Sequence, residues 1–334
     1  MKINTFAAEK KSAPLKAWSF DSPELHCQDC VIQIRACGIC HSDIHMIDND
    51  WAASIYPLVP GHEVVGDVVE VGCGVSHLNV GDRVGVGWQK SACLHCEDCL
   101  KGNENLCDNN QATIVGNHGG FADHIVTDSR FAFKIPNGLE TQSVGPLLCG
   151  GITVFSALHY AGMTSAQRIG IIGVGGLGHM AVQFAAKMGN HVTAFTTSQD
   201  KAEFAAQLGA HDAIVVNEGS FSHKPSKKLD VLFTTVPAPL TVDPYMDMLA
   251  SDGTLSYVGV GGTHVKIPLF PMLQKRRRVM ASPIGGRAII NHMLEVADTH
   301  GIAPVVEVFP FKHVNDAIAK VRDGSIRYRA VLMD

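Results

Sequence analysis

Four of the ten cysteines in this 334-residue chain fall within fifteen positions. The stretch "CLHCEDCLKGNENLC" sets Cys93, Cys96, Cys99 and Cys107 in C-x2-C-x2-C-x7-C spacing. Thiolates two residues apart in tight turns point at one centre, and four of them complete a tetrahedral zinc shell with no open position. The spacing predicts a closed, structural zinc site. Free surface thiols and an iron–sulfur cluster are the weaker readings of the same quartet. Gly102, Asn103 and Asn105 suit a loop wrapped around a metal, and His95 is surplus to a shell of four thiolates.

A second chemistry is spread along the chain. "CGICHSDIH" is followed by "YPLVPGHEVVG", which supplies Cys40, His62 and Glu63, and Cys149 stands far away in "GPLLCGGITVF". Taken singly, a cysteine is ordinary core and a histidine ordinary hydrogen-bonded structure. Together Cys40, His62 and Cys149 permit three ligands of mixed sulfur and nitrogen type. That leaves a fourth position for water or substrate, as a catalytic zinc requires.

The third motif is "GVGGLG", with Gly173, Gly175 and Gly178 in G-x-G-x-x-G spacing around Gly176 and Leu177. It closes an apolar run, "RIGIIGVG", and opens a helical one, which is the context that gives this motif meaning. Bare glycines let the backbone approach a pyrophosphate, and the helix N-terminus faces its charge. Where an acid would bond the ribose of NAD at the end of the next strand, the sequence reads "FTTSQDK". Thr196, Thr197 and Ser198 can donate to a 2′-phosphate and Lys201 can neutralise it, so NADP(H) is favoured. Asp200 argues the other way, but an acid there suits the first turn of the following helix.

The elements that position these motifs change texture along the chain. Short, Gly-punctuated strand patterns such as "CVIQIRA", "GDVVEVG", "DRVGVG" and "FADHIVT" fill the first third. From about residue 145, strand-like runs ("RIGIIGVG", "HVTAFTT", "DAIVVN", "LDVLFTTV", "TLSYVGV") alternate with helical ones, the signature of a doubly wound parallel sheet. Helices near "AIINHMLEVADTHG" and "VNDAIAKVRDG" and a strand "YRAVLMD" follow. The predicted class is α/β, with a β-rich domain over residues 1–148 and 285–334 and a doubly wound domain over 149–284.

A hydrophobic fraction of 46% with 18% charged residues is that of an ordinary globular protein. A net charge of −5 argues against wholesale binding to nucleic acid or an anionic membrane. The run "KRRR" at 275–278 reads as a solvated strand or helix edge. The start, "MKINTFAAEKKSAPLKAW", has no h-region or cleavage site, and no stretch reads as the roughly 20 apolar residues of a membrane span. A cytoplasmic protein is expected, in which cysteines serve metals before disulfides.

The order of "CGICHSDIH", "YPLVPGHEVVGDVVEVG", "GDRVGVG", the quartet, "PLLCGGIT" and "GVGGLGHMAVQFAAKMG" resembles the zinc-dependent medium-chain dehydrogenases over nearly the whole chain. The closest resemblance is to the cinnamyl alcohol dehydrogenase branch and its bacterial aldehyde reductase relatives. It implies a GroES-like catalytic domain beside a Rossmann cofactor domain, two zinc ions per chain, and a homodimer. The implied reaction is reversible hydride transfer between NADP(H) and a primary alcohol or aldehyde, with broad or aromatic preference. Two thiolates and one imidazole are the ligand set known for alcohol dehydrogenase. By the resemblance, Cys40, His62 and Cys149 hold the catalytic zinc and Glu63 is the acid that approaches it during ligand exchange. Ser42 bonds the substrate oxygen, His45 passes the proton outward, Asp43 orients His62, and His41 lies near the pyrophosphate. Trp51 and Leu58 read equally as pocket wall or core.

Two features depart from that pattern. The stretch 107–119 is short, and Cys27 and Cys30 match no family ligand; with Cys73 they read as structural or free thiols. Three rivals predict other residues. A polyol dehydrogenase would carry a carboxylate in place of Cys149, and a quinone reductase would need no ligand set. A zinc-binding or redox-sensing protein would turn over no nicotinamide.

Overall fold

The computed structural model describes residues 1–217, 219–236, 238, 240–259 and 264–334. They form two compact units, Met1–Cys149 with Gly285–Asp334, and Gly150–Ile284.

The first unit is built on a mixed sheet whose central strand is Asp29–Ile39. One edge of that strand pairs along its length with Glu63–Val71, antiparallel. The other edge is shared between His124–Asp128 at its start and Arg329–Met333 at its end. The helices Thr141–Pro146 and Val314–Asp323 also pack on this strand, and "VIQIRACGI" is buried almost continuously instead of alternating. Ile32, Ile39, Val64, Val68 and Phe121 meet in the core beneath it.

Register does the functional positioning. Gly38 pairs with Glu63, so the residues just past one strand and just before the other, Cys40 and His62, arrive at the same end of the pair. The short helix Thr141–Pro146 packs on both strands and leads to Cys149. Its approach needs Gly145, where a Cβ would stand 2.6 Å from the Glu63 carbonyl oxygen.

The opposite end of the pair corrects one expectation. Cys27 and Cys73 are not separate thiols but a disulfide, because the strands bring their flanks to a Cα–Cα distance of 4.7 Å. Cys30 and Cys37 are buried thiols.

The second unit is a seven-stranded sheet in the order Ser220–Phe221, Asp212–Asn217, His191–Thr196, Arg168–Ile172, Leu229–Thr234, Leu249–Tyr257, Arg278–Ala281. Only the Ser220–Phe221 edge is antiparallel. The order reverses at Arg168–Ile172, the switch point of a doubly wound fold. The helices Gly178–Lys187 and Gln199–Gln207 fall where the 3.6 periodicity places them, and Gly189 and Gly209 follow their ends with φ of 84° and 107°. Val260, at the end of the expected strand "TLSYVGV", lies outside the described residues.

Two further readings are amended. "KRRR" is not wholly solvated: Arg277 is buried and its guanidinium bonds the carbonyl oxygens of Leu249 and Ala250, while Arg278 opens the edge strand. The helical run Thr141–Tyr160 is long and apolar enough to cross a membrane by length and composition. Since 83% of its apolar window is buried within the protein, it has the covering of a core helix.

Candidate functional site

Cys40 is the N-cap of the helix His41–Ile47, and that helix opens with the acid that organises the site. Asp43 is fully buried. One of its oxygens accepts from the Cys40 backbone N–H at 2.9 Å; the other accepts from the Gly61 N–H at 2.8 Å and meets His62 Nδ1 at 2.9 Å. Gly61 has φ of 100° and no room for a Cβ, which would lie 2.7 Å from the Phe121 nitrogen. With Nδ1 held by Asp43, His62 presents Nε2 to Cys149 Sγ, 3.2 Å away.

Cys40 Sγ lies 3.8 Å from Cys149 Sγ. Two sulfurs bound to one tetrahedral zinc at about 2.3 Å are separated by about 3.8 Å, so the thiol pair fits the ion. Ligand atoms of Cys40, His62, Glu63 and Cys149 all lie within 4.8 Å of one another. Glu63 is fully buried and ion-paired to Arg329, yet its Oε2 has no hydrogen-bond partner among the described residues. A buried carboxylate oxygen left over in this way is a spare electron-pair donor beside two thiols and an imidazole. Burial pushes the Glu63 carboxyl above its usual range, against the pull of Arg329. Burial alone would lower Arg329, but Glu63 and the two thiols hold it charged above its ordinary value.

Around this centre, Ser42 Oγ stands 3.8 Å from Cys40 Sγ. His45, one turn further along, sets Nδ1 2.8 Å from Asp50 Oδ2. His41 is exposed. Trp88 packs its indole edge-on to the His62 ring at 5.0 Å; Trp51 touches Trp88 at 5.9 Å and His45 at 5.2 Å. Leu58 is 2% exposed and belongs to the core, so only Trp51 of that pair is placed to meet a ligand.

The quartet is a separate lobe of the same unit. Ligand atoms of Cys93, Cys96, Cys99 and Cys107 lie within 4.8 Å of one another, with Cys93 and Cys99 sulfurs 3.9 Å apart. Leu94 takes φ of 60° in the turn, and Cys99 sits on the short helix Glu97–Leu100. The His95 and Cys96 backbone N–H groups pull the Cys93 thiol down to about 6, toward the thiolate that a metal binds. His95 turns away and bonds the Cys93 carbonyl. Buried Glu104 anchors the lobe: it caps the helix Arg287–His300 through the Arg287 N–H and pairs with that guanidinium at 2.8 Å.

In the second unit, Gly173 turns the chain out of its strand with φ of 89°. Gly178 packs so closely that a Cβ would meet the Gly173 oxygen at 1.8 Å, whereas nothing lies within 4 Å of one on Gly175. At the end of the next strand Thr196 is buried, and its Oγ1 has no partner among the described residues. Thr197 and Lys201 are exposed; Ser198 caps the helix Gln199–Gln207 by accepting from the Lys201 N–H, and Asp200 lies in that first turn.

Two family models match the chain: the alcohol dehydrogenase GroES-like domain over residues 26–137 and the zinc-binding dehydrogenase model over 176–299. Aldehyde reductase AdhA of Synechocystis is 42% identical over 330 residues, covering 99% of this chain and 98% of its own. The chain belongs to the zinc-binding alcohol dehydrogenase family. Aldehyde reductase YahK of Escherichia coli is 37% identical, with 99% and 98% covered. Among solved structures, a cinnamyl alcohol dehydrogenase of Sorghum bicolor superposes with a TM-score of 0.92 at 34% identity, over 100% and 98% of the two chains. The cinnamyl alcohol dehydrogenase of Helicobacter pylori, solved with NADP(H), gives 0.91 at 29% identity over the same shares. This dehydrogenase is accordingly an oxidoreductase acting on the CH–OH group.

Four residues at the dehydrogenase's site escaped the sequence reading. Asp50 is five residues beyond His45 and carries no motif. Trp88 and Arg329 reach the ligands only through sheet pairing. Gly38 is needed because a Cβ there would stand 2.0 Å from Glu63 Oε2. Of these, only Asp50 had a signal to find, as an acid within a helical turn or so of the expected proton relay.

Proposed function

We propose that this chain is an NADP(H)-dependent reductase of aldehydes, with apolar and aromatic aldehydes preferred. Cys40, His62 and Cys149 would hold the catalytic zinc, with Glu63 as the alternating fourth donor; Cys93, Cys96, Cys99 and Cys107 would hold the structural one. The observation that carries the reading is the 3.8 Å thiol pair beside His62 Nε2, with a partnerless Glu63 oxygen completing the cluster.

Zinc, when bound, supplies Lewis acidity to the substrate oxygen, and NADPH supplies the hydride. The protein's part is orientation and proton movement. Ser42 holds the substrate oxygen and passes its proton; His45, anchored through Nδ1 on Asp50, takes the other end of the relay to solvent. Asp43 keeps His62 in the tautomer that leaves Nε2 as a ligand. Trp88 and Trp51, packed edge to face, give the centre an aromatic and apolar wall, which favours apolar and aromatic substrates.

The Gly173–Gly178 turn, with Gly175, Gly176 and Leu177, would take the pyrophosphate. Thr196, Thr197, Ser198 and Lys201 would take the 2′-phosphate, supported by the partnerless Thr196 hydroxyl. A second copy of the chain is the proposed partner. The edge strand Arg278–Ala281 is open to pairing, and Leu269, Phe270 and Leu273 are each at least 67% exposed nearby in sequence.

The test is metal analysis with an aldehyde panel assayed against NADPH and NADH. Two zinc ions per chain and NADPH oxidation by aromatic aldehydes support the reading. One zinc with no turnover, or a preference for NADH, contradicts it. Light scattering reads the subunit count separately.

A further inference from the structure

The Cys27–Cys73 bridge belongs to neither metal cluster. Both residues are exposed, at the end of the strand pair remote from Cys40 and His62. Their closeness is set by the backbone. The Gly74 N–H donates to the Cys27 carbonyl at 2.7 Å and the Gly72 N–H to the Asp29 carbonyl at 2.8 Å. The resulting Cα–Cα distance of 4.7 Å lies within the roughly 4.4–6.8 Å that a disulfide spans. Glycines on both sides of Cys73 permit this approach: a Cβ on Gly72 would meet the His26 oxygen at 2.2 Å, and one on Gly74 would meet Gln28 Nε2 at 2.4 Å. These contacts do not depend on the sulfur–sulfur bond, so the dithiol form keeps the same pairing geometry.

Cys30, the sequence neighbour in C-x-x-C spacing with Cys27, is fully buried. Burial raises its thiol to about 12, which removes it as a competing nucleophile.

We propose that Cys27 and Cys73 form a reversible dithiol–disulfide site that exchanges with low-molecular-weight disulfides of the glutathione class, apart from both metal centres. A thiolate of one cysteine attacks glutathione disulfide, breaking its S–S bond and releasing one glutathione thiolate. The second cysteine, its proton gone to solvent, attacks the mixed disulfide at the protein sulfur and expels the other glutathione. Two protein thiols lose two electrons, and one glutathione disulfide becomes two glutathione molecules. Because the second thiol stands within bonding reach, a glutathione adduct is resolved as it forms. The bridge spans 46 positions and constrains the unfolded chain, while the zinc ligands at the other end keep their places.

The experiment uses the zinc-loaded enzyme, reduced with glutathione and then exposed to glutathione disulfide. It is read by intact mass, peptide mapping, zinc content and melting. The wild type should lose two hydrogens, map to a Cys27–Cys73 link, carry no lasting adduct, keep its zinc and melt roughly 5 °C higher. Cys27→Ser should retain one glutathione on Cys73, and Cys73→Ser one on Cys27. A lasting adduct on the wild type, no change in mass, a link through Cys30, zinc release, or both variants without adduct would each overturn the proposal.

Discussion

The two cysteine clusters of the first unit reach the same mutual closeness by opposite routes. The quartet is made by fifteen consecutive residues, and its turn geometry is local. The Cys40–His62–Cys149 centre draws on the end of one strand, the start of another and the far end of a helix, with Asp43 tying the first two together. A local cluster depends on its own loop. A distributed one depends on sheet register, and every residue that fixes the register becomes part of the site.

The contrast breaks most sharply at the ligands. Cys40→Ser removes one of the three proposed zinc ligands from the distributed centre. Aldehyde reduction should fall by about 1,000-fold or more, with one zinc per chain remaining by elemental analysis. Cys99→Ser should do the reverse. The lobe zinc is lost and the melting temperature falls by about 10 °C, while turnover measured well below that temperature stays within about fivefold of wild type.

Smaller changes sharpen the same point. Asp43→Asn puts an amide N–H against the Cys40 or the Gly61 and His62 donors. Competition with a chelator should show the distributed zinc held about 10- to 100-fold more weakly, and the quartet zinc unchanged. Weakest is the tie between Asp48, at the C-cap of the Cys40 helix, and Arg322. The Arg322 guanidinium lowers the Asp48 carboxyl, so its contribution is present above the unfolded pKa of about 3.9 and lost as pH falls through the lowered value. Asp48→Asn should cost about 1–2 °C in melting temperature at pH 7, because the arginine is partly exposed, and that difference should shrink steadily as the pH falls below the unfolded value.

Legibility in the sequence follows the same division. The quartet, the "GVGGLG" turn and the helices after it could be read directly, since spacing and periodicity are local properties. Cys40, His62 and Cys149 were readable only as residue types that permit a shared zinc, and the resemblance singled them out, because nothing in a one-dimensional pattern reports that Gly38 faces Glu63. Residues contributed through that pairing were invisible in the same way: Arg329 reaches Glu63 because its strand pairs along the edge Ala36–Ile39. The Cys27–Cys73 link was hidden for the same reason. The C-x-x-C spacing drew attention to Cys30, whereas the strand pair chose Cys73.

The central claim is that one chain holds two zinc shells of different composition, and zinc-edge X-ray absorption measures that composition directly. With four sulfurs in the quartet and two in the distributed centre, the average shell should hold three sulfurs and one lighter donor per zinc. In Cys40→Ser it should become all sulfur. An all-sulfur shell in the wild type, or a shell unchanged by Cys40→Ser, would contradict the account.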